Sequence, residues 1–152
     1  MRLFVGVWPS DEVRAALALL ARPEGAARWT PPEQWHVTLR FLGEVEDAAP
    51  WAAQLASVAA GAAARRVVLG PATRMLGRDV LVVPAAGLDD LGAAFGTESF
   101  RGHLTLARRA PRALAGGAFR ASWDVTEVAL IRSHLGGSAP ARYETIATAP
   151  LG

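Results

Sequence analysis

The chain has 152 residues, about half of them apolar, with no Cys and a formal net charge of +2. That size favours one domain, 1–152, with a core large enough to need no cross-links. The missing Cys excludes disulfides, thiolate catalysis and Cys-ligated metal centres, and so small a net charge does not by itself argue for nucleic acid.

Residues 2–8 read as a buried strand closed by Pro9. This N-terminal run is too short for a signal peptide, and no apolar run reaches membrane-spanning length. A soluble, cytoplasmic, monomeric protein without a membrane partner is therefore expected. Ser10 is a fitting N-cap for a helix over 11–21, with Asp11 and Glu12 at its positive end. Pro23 and Thr30-Pro31-Pro32 mark an extended loop, and 34–42 reads as a strand. Gly43 to Asp47 turns the chain, and Asp47 caps an Ala-rich helix to about Ala60. Arg65–Leu69 and Val80–Val83 read as strands joined as a hairpin around Gly77-Arg78-Asp79. A helix over Leu88–Phe95 follows, then strands over 100–107, 118–123 and 125–133. Gly136-Gly137 opens a loop before a last strand, Tyr143–Thr148. Helices and strands mix without a strict βαβ repeat, which predicts an α+β fold.

The sequence echoes itself. His36-Val37-Thr38-Leu39 recurs as His103-Leu104-Thr105-Leu106, each copy in a strand-like run closely preceded by an aromatic residue, Trp35 or Phe100. Side chains two apart in a strand share a face. His36 and Thr38 therefore look out together, as do His103 and Thr105, while Val37, Leu39 and Phe41 look inward. Arg40 shares the His36 face. Two imidazoles near their ordinary pKa can take a proton from water and give one to a leaving oxygen. Two fixed hydroxyls can stabilise charge on a phosphoryl group. That is what opening a cyclic phosphate requires, with no metal, cofactor or covalent nucleophile. A single His-x-Thr in a strand is more often a structural pair. The third histidine, His134, has no Thr two residues on and is given no special role.

Charge is uneven along the chain. All sixteen basic residues are Arg; residues 1–97 carry nine Arg and ten acids, whereas 98–152 carry seven Arg and four acids. Between Glu98 and Asp124 lie five Arg and no acid. Such a stretch is usually a solvated face and, more specifically, a phosphate-facing patch.

At these residues the chain resembles the two-histidine (2H) phosphoesterases, and within them the RNA 2′,3′-cyclic phosphodiesterases, also called 2′-5′ RNA ligases. The matching residues are Arg2-Leu3-Phe4-Val5 with Pro9, Trp35-His36-Val37-Thr38-Leu39-Arg40-Phe41-Leu42-Gly43 and His103-Leu104-Thr105-Leu106-Ala107-Arg108. Val128-Ala129-Leu130-Ile131-Arg132-Ser133, Tyr143 and Pro150-Leu151 continue the match. The resemblance implies a bilobal fold, two pseudo-symmetric lobes of mainly antiparallel sheet flanking a central cleft. It implies metal-independent hydrolysis of an RNA 2′,3′-cyclic phosphate end to a 2′-phosphate, with weak reverse 2′-5′ ligation. His36, Thr38, His103 and Thr105 would be catalytic, His36 as acid and His103 as base. Arg40, Arg108, Arg132 and Tyr143 would bind substrate.

The chain departs from the family in two places. Gly102 stands where Pro usually precedes the second His, which loosens the backbone there. The stretch between the motifs, especially 70–100, is short. Alternation places Arg109 on the His103 face, whereas the family match favours Arg108; a β-bulge would reconcile them. The five Trp read as core or lobe-interface residues. Other readings stay open: a 2H enzyme for a small cyclic nucleotide or ADP-ribose cyclic phosphate, a non-catalytic RNA-end binder, and, least well supported, a metal site built from the three histidines.

Overall fold

The computed structural model describes residues 1–136 and 139–152, so Gly137 of the expected glycine loop lies outside the described residues. The first half of the chain runs β1 (Arg2–Val7), α1 (Asp11–Ala18), β2 (Arg28–Trp29), a 3-10 turn (Pro32–Gln34), β3 (Val37–Glu44) and α2 (Ala49–Ala60). The second half runs β4 (Arg65–Leu69), β5 (Arg74–Leu76), β6 (Val80–Ala86), α3 (Asp89–Ala94), β7 (His103–Arg108), a 3-10 turn (Arg112–Leu114), β8 (Ala121–Val125), β9 (Glu127–Gly136) and β10 (Ala139–Pro150).

Most expected elements are present, with local differences. The Ser10 hydroxyl caps α1 by accepting from the Val13 amide at 3.3 Å, but the helix stops at Ala18. Asp47 accepts from the Ala49 amide at 3.0 Å at the start of α2, as its sequence position suggests. Strand β3 does not turn at Gly43; it runs on to Glu44 because Leu3 and Arg2 pair with those two residues. The Gly77–Asp79 turn joins β6 to β5, a strand the sequence reading missed, while β4 meets the far end of β6 at Ala85 and Ala86.

One curled antiparallel sheet holds the strands in the order β10-β9-β1-β3-β7-β6-β4-β8, with β2 on β7 and β5 on β6. It divides into two lobes. Strands β10, β9, β1 and β3 carry α2 against β9 and β10, and β7, β6, β4 and β8 carry α1 against β8. The lobes join where β3 meets β7, at the pair Val37 and Leu104. The α+β bilobal architecture is therefore the observed one.

Strand parity explains the layers. Leu3, Val5 and Val7 enter the main core with Val37, Leu39, Leu104 and Leu106. Phe4, Ala129 and Ile131 form a smaller apolar cluster on the opposite face, covered by Trp8 and Tyr143. Bulges next to the two motifs break simple alternation. Gly6 pairs with Thr38 but Val5 with Arg40, leaving Leu39 as the extra residue. Val82 pairs with Thr105 but Leu81 with Ala107, leaving Leu106 as the extra residue. Each extra residue flips the face of those after it.

Candidate active site

A cleft of about 740 Å³ lies over the junction of the lobes, and His36, Thr38, His103 and Thr105 all line it. Each imidazole is anchored the same way. His36 Nδ1 donates to the carbonyl of Gln34 at 2.7 Å, and His103 Nδ1 donates to the carbonyl of Arg101 at 2.8 Å. In both cases the acceptor is two residues upstream. This bond fixes the tautomer and leaves Nε2 as the edge available to a ligand. At His36 that nitrogen accepts from the Thr38 hydroxyl at 2.8 Å.

The two histidines differ in surroundings. His36 sits among Phe4, Tyr143 and Trp8, with ring centroids at 4.8, 5.5 and 5.8 Å. Burial there pushes the His36 imidazolium below the usual histidine range. The Gln34 carbonyl opposes this, and the charges of His103 and Arg14 reinforce it. Arg14 stacks behind Trp8 and donates to the Pro32 carbonyl at 2.6 Å, while the Gln34 side chain bonds the Ala141 carbonyl. These contacts tie the Pro32–Gln34 turn, and so the His36 anchor, to both α1 and β10. Trp8 is itself held by Thr145, at 3.0 Å from its indole nitrogen.

The bulges decide which arginine faces the cleft. Arg108 lines it, because the extra residue Leu106 buries both itself and Ala107 and returns Arg108 to the His103 face. Arg109 follows with a positive φ of 51° and leaves the strand. The expectation for Arg40 is corrected. Past the Leu39 bulge it crosses to the helical side, donates to the Phe95 carbonyl at 2.5 Å and stacks on Trp51. Phe41 moves the other way. It is 73 % exposed and lines the cleft instead of the core. Phe41 and Arg108 therefore hold the same place in the two motifs, three residues after the threonine.

Arg132 does not line the cleft. It pairs in register with Leu3 and Glu144, whereas its neighbour Ser133 pairs with Arg2 and Tyr143 on the cleft side. Tyr143 lines the cleft, and burial raises its pKa against the opposing charges of Arg108 and Arg2, so its hydroxyl stays a donor at neutral pH. His134 lies apart on the β9–β10 hairpin, bonded to Glu144 at 2.7 Å.

Sequence reasoning missed Arg2, Phe4, Trp8, Arg28, Gln34 and the exposure of Phe41. Strand β1 is buried, as expected, but its two faces serve different layers: Leu3, Val5 and Val7 enter the main core, and Phe4 lies under the cleft. Trp29 lines the cleft as well, so one tryptophan read as core or interface belongs to its wall. Gly102 has a packing reason. A Cβ there would stand 2.4 Å from the Ala85 carbonyl oxygen, and the Ala85 amide donates to the Gly102 carbonyl at 2.9 Å. The residue before His103 is thus clamped rather than loose.

Comparison with known proteins fits this geometry. A family model described as LigT like Phosphoesterase matches residues 7–76, which include the first motif. No curated protein sequence matches the chain. Among solved structures, the Thermus thermophilus protein TT0787 is 29% identical with a TM-score of 0.86, covering 99% of this chain and 98% of its own. Escherichia coli LigT complexed with NADP+ is 26% identical with a TM-score of 0.84, covering 99% and 96%. The same protein complexed with 3′-AMP is 26% identical with a TM-score of 0.79, covering 99% and 96%. The family match over the first motif and the shared fold over nearly the whole chain make this protein similar to the LigT-like phosphoesterases.

Proposed function

We propose that this protein hydrolyses 2′,3′-cyclic phosphate ends of RNA to 2′-phosphates without a metal, using His36 and His103 as the proton-transfer pair. The observation that carries this reading is the meeting of two His-x-Thr motifs in one cleft, each imidazole anchored through Nδ1 to a backbone carbonyl. A water attacks phosphorus while one Nε2 takes its proton. The bond from phosphorus to the ribose 3′ oxygen breaks, and the other imidazolium protonates that oxygen. Thr38 and Thr105 donate to the phosphoryl oxygens as charge builds. The buried His36 favours the neutral form in the free protein, and an anion between the rings favours its protonated form.

Arg108 and Tyr143 are the cleft residues suited to hold the phosphate, and Phe41 is placed for a base to stack on it. The E. coli LigT complexes with 3′-AMP, ATP and NADP+ favour a nucleotide ligand for this cleft too. The test is product analysis on an RNA ending in a 2′,3′-cyclic phosphate. The expected product is the 2′-phosphate; a 3′-phosphate, or an unchanged cyclic end, sinks the reading. Under the same assay, turnover of a small cyclic nucleotide but not of RNA would favour the small-substrate branch.

A further inference from the structure

The cleft carries more positive charge than one cyclic phosphate needs. Its lining includes Arg2, Arg28 and Arg108 and, among the described residues, no Asp or Glu. A cyclic phosphodiester carries a single negative charge. Arg108 and Arg2 both bear on the Tyr143 hydroxyl. Arg28 is the third arginine of the lining. It stands on β2, in direct register with Arg108 of β7, with Trp29 opposite Ala107.

Like charges directly opposite across two strands are destabilising. Here both arginines are exposed, and among the described residues neither has a carboxylate within ion-pair distance. Elsewhere the same chain does pair its cross-strand arginines: Arg66 meets Asp124 at 3.1 Å across β4 and β8. The Arg28–Arg108 pairing is thus an unneutralised one placed on the wall of an acid-free cleft. A guanidinium in that position presents a planar fork of donors suited to phosphate oxygens.

We propose that Arg28 forms a subsite for a second phosphate, next to the one that reacts. The preferred substrate is then a cyclic phosphate on a nucleotide that bears a further phosphate, either a terminal monoester or the internal diester of a longer strand. This deepens the phosphodiesterase reading and rests on it. The spacing follows from the fold: Arg28 is one strand removed from Arg108, and Arg108 lies on the same strand face as His103 and Thr105. The reacting group between the imidazoles and the second phosphate at Arg28 would thus lie along one wall of the cleft.

The test compares kcat/KM on three substrates: a nucleoside 2′,3′-cyclic phosphate, its 5′-phosphorylated form, and a dinucleotide ending in the cyclic phosphate. One charge-assisted contact predicts an advantage of about ten-fold or more for a substrate with the second phosphate. In Arg28→Gln that advantage should shrink to about two-fold or less, and Arg28→Lys should keep part of it. An advantage confined to the dinucleotide identifies the internal diester; one confined to the 5′-phosphorylated mononucleotide identifies the monoester. Equal turnover of all three by the parent overturns the subsite, as does an equal loss on all three in Arg28→Gln with an unchanged melting temperature. If no substrate turns over, the phosphodiesterase reading has failed separately. The subsite is then decided by titrating adenosine 2′,5′-bisphosphate against adenosine 2′-phosphate. Tighter binding of the bisphosphate, lost in Arg28→Gln, upholds it; equal binding overturns it.

Discussion

Val37 and Leu104, each the middle residue of a His-x-Thr motif, face one another across the antiparallel junction of β3 and β7. A local two-fold axis passes through any antiparallel pair, so this one residue pair relates the two motifs. Continued by one step, the register sets His36 against Thr105 and Thr38 against His103. Residues on diagonal positions of such a pair lie roughly 7–8 Å apart, somewhat less at Cβ, which is room for a phosphate between the two imidazoles. Val37 and Leu104 are both fully buried, so the hydrophobic core itself holds the register that brings the motifs together.

His36→Ala and His103→Ala should each lower single-turnover cleavage about 10²–10⁴-fold, with melting temperatures close to the parent. His134→Ala should cleave at the parent rate, since that residue bonds Glu144 away from the cleft. Near-normal rates in either motif variant would end the two-histidine assignment.

The threonines separate in kinetics from a binding role. Thr38→Val and Thr105→Val keep shape and strand preference but remove a donor. Donors that act on developing charge lower kcat more than they raise KM. An effect limited to KM would reduce the hydroxyls to ground-state contacts. Thr38 should show the larger effect on the acid limb of the pH profile, because its hydroxyl also bonds His36 Nε2.

Arg108 and Arg40 should part company. Arg108→Met should raise KM with little change in melting, because the side chain lies exposed in the cleft. Arg40→Met should cost about 1–3 kcal/mol of stability through its carbonyl bond and its stacking on Trp51, with KM nearly unchanged. Steady-state kinetics and denaturant melts on both variants decide this; a KM effect from Arg40 would contradict the bulge at Leu39.

The depressed pKa of His36 makes stability depend on pH. Above the ordinary histidine value of about 6.5 both the folded and unfolded forms hold His36 neutral. As pH falls below that value the unfolded chain takes up the proton first, so the buried neutral ring's contribution is lost as pH drops toward the folded pKa. Melts of the parent between about pH 7 and 5 should therefore fall more steeply than melts of His36→Gln. Parallel curves would show that burial does not shift this group.

Gly102→Ala should destabilise the protein by about 1–3 kcal/mol, since its Cβ would stand 2.4 Å from the Ala85 carbonyl oxygen. Cleavage should drop with it, because His103 follows directly. A parent-like melt would mean that β6 can shift without cost.

The four motif residues were legible because the motif is repeated. Two His-x-Thr copies in a chain with three histidines single out the four motif residues, and strand parity puts each His and Thr on one face. Helix caps at Ser10 and Asp47 were legible for the same local reason: a short side-chain oxygen finds an amide two or three residues on. Parity failed only where a bulge intervenes. The inward reading of Phe41 and the cleft-facing reading of Arg40 both assume an unbroken strand, and the extra residue Leu39 reverses both.

What the sequence determined by itself is therefore the local chemistry: which side chains share a strand face, where helices begin, and which residues recur as a pair. Only the tertiary structure decided the rest. The bulges at Leu39 and Leu106 arise from pairing with β1 and β6, strands distant in sequence, so no local pattern encodes them. They choose Arg108 over Arg109 and exchange Arg40 for Phe41 in the cleft. The low proton affinity of His36 likewise comes from burial among Phe4, Trp8 and Tyr143, residues from both ends of the chain, and desolvation is a property of the surroundings that folding assembles.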